Sequence, residues 1–170
     1  MTRSNFFLIF FIFISQVIYA EKADRAKPII IDSDEMQVDD AKSISTYIGD
    51  VILQQGTLII KADKLVIRED KQGFQHSTAT GKPATFKQKR EGVDEYIEGQ
   101  SLRIEYDGNM DKLHLYSKAR VKRGNDLVFG DYIMYDASSE FAQAMSGNTK
   151  DANGNPVKKG RTRAIIRSDQ

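Results

Sequence analysis

The sequence predicts an all-β protein: two curved antiparallel sheets folded over one another, a sandwich or jelly roll. Apolar and polar residues alternate in short runs, and no long segment repeats with the helical period. The runs also recur as a degenerate internal repeat of hairpin-like units. Hairpins that cannot bury a face alone must stack on neighbours.

The alternation is clearest in a few stretches. Over Thr57 to Asp63, Leu58, Ile60 and Ala62 share one face, with Ile59, Lys61 and Asp63 on the other. Over Ser101 to Asp107, Leu102, Ile104 and Tyr106 alternate with Arg103, Glu105 and Asp107. Leu113 and Leu115 flank His114, Leu127 and Phe129 flank Val128, and Ile133 and Tyr135 flank Met134. Turns are marked by Gly56, Glu69 to Gly73, Asp107-Gly108-Asn109, Gly124-Asn125 and a loop from Asn148 to Gly160.

Three repeat units emerge. The first is GDVILQQGTLIIKADKLVI (Gly49 to Ile67). The second joins GKPATFKQ (Gly81 to Gln88) to EGQSLRIEYD (Glu98 to Asp107). The third is KARVKRGNDLVFGDYIMYD (Lys118 to Asp136). Each second strand carries a small-residue and polar step, Ala62-Asp63, Gly99-Gln100 or Gly130-Asp131, which predicts a bulge or bend.

Residues 1–20 read as an address. Arg3 precedes the apolar run Phe6 to Ile14, and SQVIYA leads to Ala20, so cleavage is expected there and a single domain over 21–170 with a flexible basic C-terminal end. The apolar run is broken at Ser15 and Gln16, short of the ~20 residues a membrane span needs. With Cys 0, an exported chain rests on packing, and thiolate metal sites and cysteine nucleophiles are excluded. His76 and His114 are too few for a multi-histidine metal centre.

Net charge hides a polarity. Glu21 to Asp40 holds seven acids against three bases, and from Asn148 onward six bases face two acids. No G-x-S-x-G, H-E-x-x-H or P-loop is present, so no enzyme, cofactor or metal is expected. Asp32-Ser33-Asp34 reads as an acidic strand end, and Asp151 to Asn155 as a turn lacking the glycine position and glutamate of a calcium loop. Aromatics alternate with aliphatics instead of basic residues, which argues against nucleic acid.

The alternation, taken literally, turns Ile29, Ile31, Tyr47, Val51, Leu53, Leu58, Ile60, Leu65, Ile67, Phe86, Leu102, Ile104, Tyr106, Leu113, Leu115, Val121, Phe129, Ile133 and Tyr135 inward. A filled core is the default for such a set. The expected edge strands are Pro28 to Asp32 (Ile29, Ile30, Ile31) and Arg161 to Arg167 (Arg163, Ala164, Ile165).

The motifs KPIIIDSDEM (Lys27 to Met36), GDVILQQGTLIIKADKL, GKPATF, EGQSLRIEYD, GDYIMYD and GRTRAII (Gly160 to Ile166), in this order and spacing, resemble the LptA/OstA family of lipopolysaccharide-transport proteins. The resemblance covers nearly all of the chain after residue 20. It implies an OstA-like open β-jelly roll in the periplasm, with its core left partly open for lipid A acyl chains. It implies lipopolysaccharide as cargo, with the inward residues Ile29, Ile31, Tyr47, Val51, Leu53, Leu58, Ile60, Leu65, Phe86, Leu102, Ile104, Tyr106, Leu115, Phe129 and Tyr135 as its binding set. Strand addition at the two edges would build a head-to-tail homo-oligomer. An inner-membrane-anchored LptC-like jelly roll would pair with the N-terminal edge, and an outer-membrane LptD-like jelly roll with the C-terminal edge. Three alternatives stay open: a small outer-membrane β-barrel, the anchored jelly-roll component of the same system, and an envelope-glycolipid enzyme.

Overall fold

The computed structural model describes residues 24, 27–71, 75–90, 92–107, 109–110, 112–136, 139, 141–147 and 161–166. The expected address segment 1–20, a chain start at Glu21 and the loop 148–160 lie outside these residues, as do Gln72, Gly73, Gly108 and Arg167.

Ten strands follow in order: β1 (Ile29–Asp32), β2 (Glu35–Asp39), β3 (Ile44–Gln55), β4 (Leu58–Glu69), β5 (Gln75–Lys89), β6 (Tyr96–Asp107), β7 (Lys112–Arg123), β8 (Asp126–Asp136), β9 (Phe141–Met145) and β10 (Arg163–Ile165). All pairings are antiparallel. They form one sheet in the order β1-β3-β4-β5-β6-β7-β8-β10, with β2 also on β3 and β9 also on β8. The hairpins β3–β4, β5–β6 and β7–β8 coincide with the three repeat units. No pairing among the described strands joins the first edge to the last, so the sheet is open.

A single crease turns this sheet into two layers. Register slips at one level in every long pairing, between Ile48/Val51, Lys61/Lys64, Thr80/Ala84, Gln100/Arg103 and Tyr116/Ala119. Both edges break at the same level. β1 pairs with Ile52 to Gln55 and β2 with Ile44 to Ile48, while β10 takes Leu127 to Phe129 and β9 takes Tyr132 to Asp136. The backbone turns through left-handed conformations here, at Gly49 and Asp50 in β3 and at Ser117 and Lys118 in β7. Gly49 leaves room for the Asp34 carboxyl group, which a Cβ would strike, while Asp34 N–H donates to Gly49 O at 3.1 Å. At the other edge Gly147 N–H donates to Asp131 Oδ2 at 2.8 Å.

The crease sorts side chains by size. Its inner face on the first layer carries Val51, Ala62, Ala84, Ser101 and Ala119, all buried. Across it, the second layer offers Leu65, Ile104, Leu115 and Ile133, each 0–1% exposed. Burial that complete on one face of a sheet needs an opposing layer, and among the described residues the other half of the same sheet supplies it. Small residues on one side of the crease and, Ala79 apart, large ones on the other are thus buried together, at roughly 1.5–3 kcal/mol per fully buried aliphatic side chain. Ser101 satisfies its buried hydroxyl by donating to Arg103 O at 2.7 Å.

The crease also corrects two expectations. Inner residues step by three in β4 (Ala62 to Leu65) and β6 (Ser101 to Ile104), so parity does not carry across. Leu102, expected inward, is 38% exposed against 1% for Ile104, because the slip after Gln100 turns it out. Phe129 was also expected inward. The strand places Val128 against the core opposite Val121, and Phe129 pairs outside with Arg120, whose guanidinium lies 5.9 Å from its ring centroid. The steps expected at Ala62-Asp63 and Gly130-Asp131 fall at the crease. The β6 step lies beyond Gly99-Gln100, and Gly99 instead makes room for the Phe86 ring across the pairing.

Leu115→Ala should therefore destabilise the fold by about 2–5 kcal/mol, and Leu102→Ala by no more than about 1 kcal/mol. Equilibrium urea unfolding of both variants checks this. Equal losses would mean that the sheet does not change faces at the crease.

Candidate functional site

The two layers enclose an apolar seam running from one edge of the sheet to the other. Its middle is filled: Leu53, Ile60, Leu65, Phe86, Ile104, Leu113, Leu115, Val121 and Ile133 are buried together. At each end the layers part.

Beside the N-terminal edge is a cleft of about 360 Å³ lined by Ile29, Ile31, Val38, Tyr47 and Ile67, with Asp40, Ser45, Glu69 and Gln75 among its polar residues. Beside the C-terminal edge a cleft of about 270 Å³ is lined by Ile97, Val121, Val128, Tyr135, Ala142, Ala164 and Ile166, with Arg123 and Asp126. Each takes residues from both layers, so each is a mouth of the seam, the first mainly polar and the second mainly apolar where it opens.

The structure places the expected lining residues as follows. Val51, Leu53, Ile60, Leu65, Phe86, Ile104, Leu115 and Tyr135 are buried in the seam, and Ile31, Tyr47, Leu58 and Tyr106 pack against it half-buried. Ile29 is exposed at the first mouth. Leu102 and Phe129 stand outside. Sequence reasoning passed over Ile97, Val128, Ala79, Ala84 and Ala119, all of which face inward. Alanine near the bulges of β4, β5 and β7 was the available signal, since layers that converge leave room only for small side chains.

Both edges expose apolar side chains, and among the described strands each is unpaired on its outer side. Of the twelve large hydrophobic residues that stand exposed among the described residues, seven belong to the edges: Ile29, Ile30, Met36 and Val38 on one, Phe141, Met145 and Ile166 on the other. The expected edge strands β1 and β10 do end the pairing order. Each is extended by a second short strand, β2 or β9, that the sequence did not betray.

A separate cluster lies on the outer face of the second layer. His114 Nδ1 and Tyr132 Oη are 2.7 Å apart, Tyr116 and Tyr132 rings are 5.1 Å apart, and the Arg103 guanidinium lies 4.2 Å over Tyr116. Both phenols are held above the ordinary tyrosine range, first by desolvation and then by the Glu105 charge. A raised phenol favours the neutral form, so its contribution to stability is present below the ordinary value and lost as pH climbs through the folded one. In a spectrophotometric titration Glu105→Gln should lower both values only partly. A full return to the ordinary range would make the charge, not burial, the main cause.

An unclosed, creased antiparallel sheet folded around an apolar core defines the class of OstA-like β-jelly rolls. The chain belongs to the family described as LptA/(LptD N-terminal domain) LPS transport protein, whose sequence pattern matches residues 30–141. It is 32% identical over 134 residues to the lipopolysaccharide export system protein LptA of Escherichia coli K12, covering 78% of this chain and 72% of that one. It is 32% identical over 147 residues to LptA of Haemophilus influenzae, covering 85% and 84%. The crystal structure of LptH, the LptA-homologous periplasmic component of the lipopolysaccharide transport device of Pseudomonas aeruginosa, matches with a TM-score of 0.75 at 25% identity, over 85% of this chain and 99% of that one. Among the described residues no helix is long and apolar enough to cross a membrane.

Proposed function

We propose that this chain binds lipopolysaccharide by its acyl chains in the seam and passes it across the periplasm as one link of a head-to-tail protein bridge. The observation that carries the reading is the position of the two mouths, each beside a free sheet edge, in a member of a lipopolysaccharide-transport family. Exposing acyl chain to water costs about 0.8 kcal/mol per CH₂, so a twelve-carbon chain costs on the order of 10 kcal/mol. Burial against aliphatic side chains offsets that without chemistry, and we read the protein as non-catalytic.

The bridge follows from the edges. The first carries Asp32, Asp34, Glu35, Asp39 and Asp40, and the last carries Arg161 and Arg163. Backbone pairing between β10 of one copy and β1 of the next would supply affinity, with unlike charge favouring this order over like-end contacts. An LptC-like jelly roll on the inner membrane would meet the N-terminal edge and an LptD-like one on the outer membrane the C-terminal edge. Residues 1–20 would serve as the export signal.

A photo-crosslinker at Ile31, Phe86, Ile104 or Tyr106 should capture lipopolysaccharide, whereas one at Leu102, Arg103 or Glu105 should not. Equal capture on both faces would rule out the seam as the binding surface. Deleting residues 160–170 should leave the sheet folded but abolish oligomers in sedimentation. High salt should shorten the oligomers of the full chain only modestly, because screening spares the strand ladder. Long oligomers of the truncated chain would move the interface elsewhere.

A further inference from the structure

Strand registers align two rows of side chains across the outer face of the first layer. One row runs Lys61, Thr85, Gln100, Arg120 and the other Ile59, Lys87, Glu98, Lys122. These eight residues line a depression of about 330 Å³, which Phe86 and Gly99 complete. Apart from Phe86 and Gly99, its lining residues lie on the face away from the seam's apolar side chains.

The two rows differ in how their charge is used. Glu98 lies between two lysines, 3.0 Å from Lys87 and 4.0 Å from Lys122. Lys87 also sits 4.4 Å over the Tyr96 ring. In the other row Lys61 and Arg120 meet no carboxylate within ion-pair distance among the described residues. The Arg120 Nε–H is shielded from solvent and has no acceptor among them. Its guanidinium is steadied by the Phe129 ring instead. Solvated surface charge accounts for an exposed lysine, but not for a half-buried guanidinium left without a counterion.

We propose that this depression is a binding pocket for phosphate-class anions. Lys61 and Arg120 would close on the anion from opposite sides, with the Thr85 hydroxyl and Gln100 amide as neutral donors between them. Four cations against one carboxylate leave a net charge of +3 around the pocket. A planar guanidinium and point-charge ammonium groups are the donors that tetrahedral dianions select. The proposal does not depend on the transport reading. That reading bears only on whether the phosphate belongs to a glycolipid head or is free in solution.

The test is titration of the full chain with inorganic pyrophosphate, followed by backbone amide NMR. Saturable shifts should centre on residues 61, 85, 100 and 120. The double variant Lys61→Gln/Arg120→Gln should weaken binding at least about tenfold, since hydrogen bonds to charged groups are the strong ones. The charge-matched control Lys64→Gln/Lys118→Gln should bind as the parent does, and equal thermal unfolding would show both variants folded. Shifts that do not saturate, or equal loss in the control, would overturn the pocket and leave diffuse surface charge. A second arm uses lipopolysaccharide with and without its phosphates. If the double variant weakens only the phosphorylated form, the ligand is the glycolipid head; if it weakens neither while pyrophosphate binding falls, the ligand is a free anion. Pyrophosphate binding without any lipopolysaccharide binding would sink the transport reading and keep the pocket.

Discussion

The structure depends on one line of irregular backbone. Six strands of eleven to fifteen residues could form a flat ribbon with one wet and one bare apolar face. The crease prevents that by slipping every pairing at the same level, so that the sheet closes on itself like a folded page. The line needs two things from the sequence. Backbone must leave the extended region, which Gly49-Asp50 and Ser117-Lys118 do, and the layers must fit where they converge. Val51, three alanines and a serine on one side, with leucines, isoleucines and Ala79 on the other, meet that second need. A large residue at Ala84, which is fully buried, would force the layers apart there.

How much of this was legible in the sequence follows from the same line. Away from it, alternation gave the correct face: Leu58 and Ile60, Leu113 and Leu115, and Ile133 and Tyr135 all point inward. Across it, parity failed. Leu102 was read on the face of Ile104, and Phe129 on the face of Ile133, because a period of two cannot report how many residues a bulge absorbs. The small-residue and polar steps located the crease in β4 and β8 but not in β6, where Gly99 serves the Phe86 ring. β2 and β9 were invisible for a different reason. Each is five residues long and largely exposed, so pairing with a neighbour, not burial, makes it a strand. The clefts were out of reach altogether. A list of inward residues does not distinguish the filled middle around Leu65 and Leu115 from the parted ends at Ile29 and Val128.

That distinction bears on the proposed transport. A hollow barrel would retain its cargo, and a filled sandwich would admit none. Here the apolar surface left open lies at the edges, where exposed Ile30, Met36, Phe141 and Met145 also gather. In an isolated domain such edges invite unwanted pairing. In a bridge they are the points of contact, which gives a physical reason to leave them uncharged in part.

The proposed bridge gains its continuity from the broken edges. β1 and β2 divide at Ser33-Asp34, and β9 and β10 divide between them the partner positions on β8, all at the level of the crease. A second copy that added β1 to β10 and β2 to β9 would have to bring its crease into line, because a shift along the strands would unpair one of the two short contacts. Register would then be set twice at each junction, which a single straight edge cannot do. Alignment of creases also aligns seams, so the mouth at Val128 and Ile166 would open onto the mouth at Ile29 and Ile31 of the next copy. Acyl chains would pass between subunits without crossing water. The backbone irregularity that closes one domain would thus also place its neighbour.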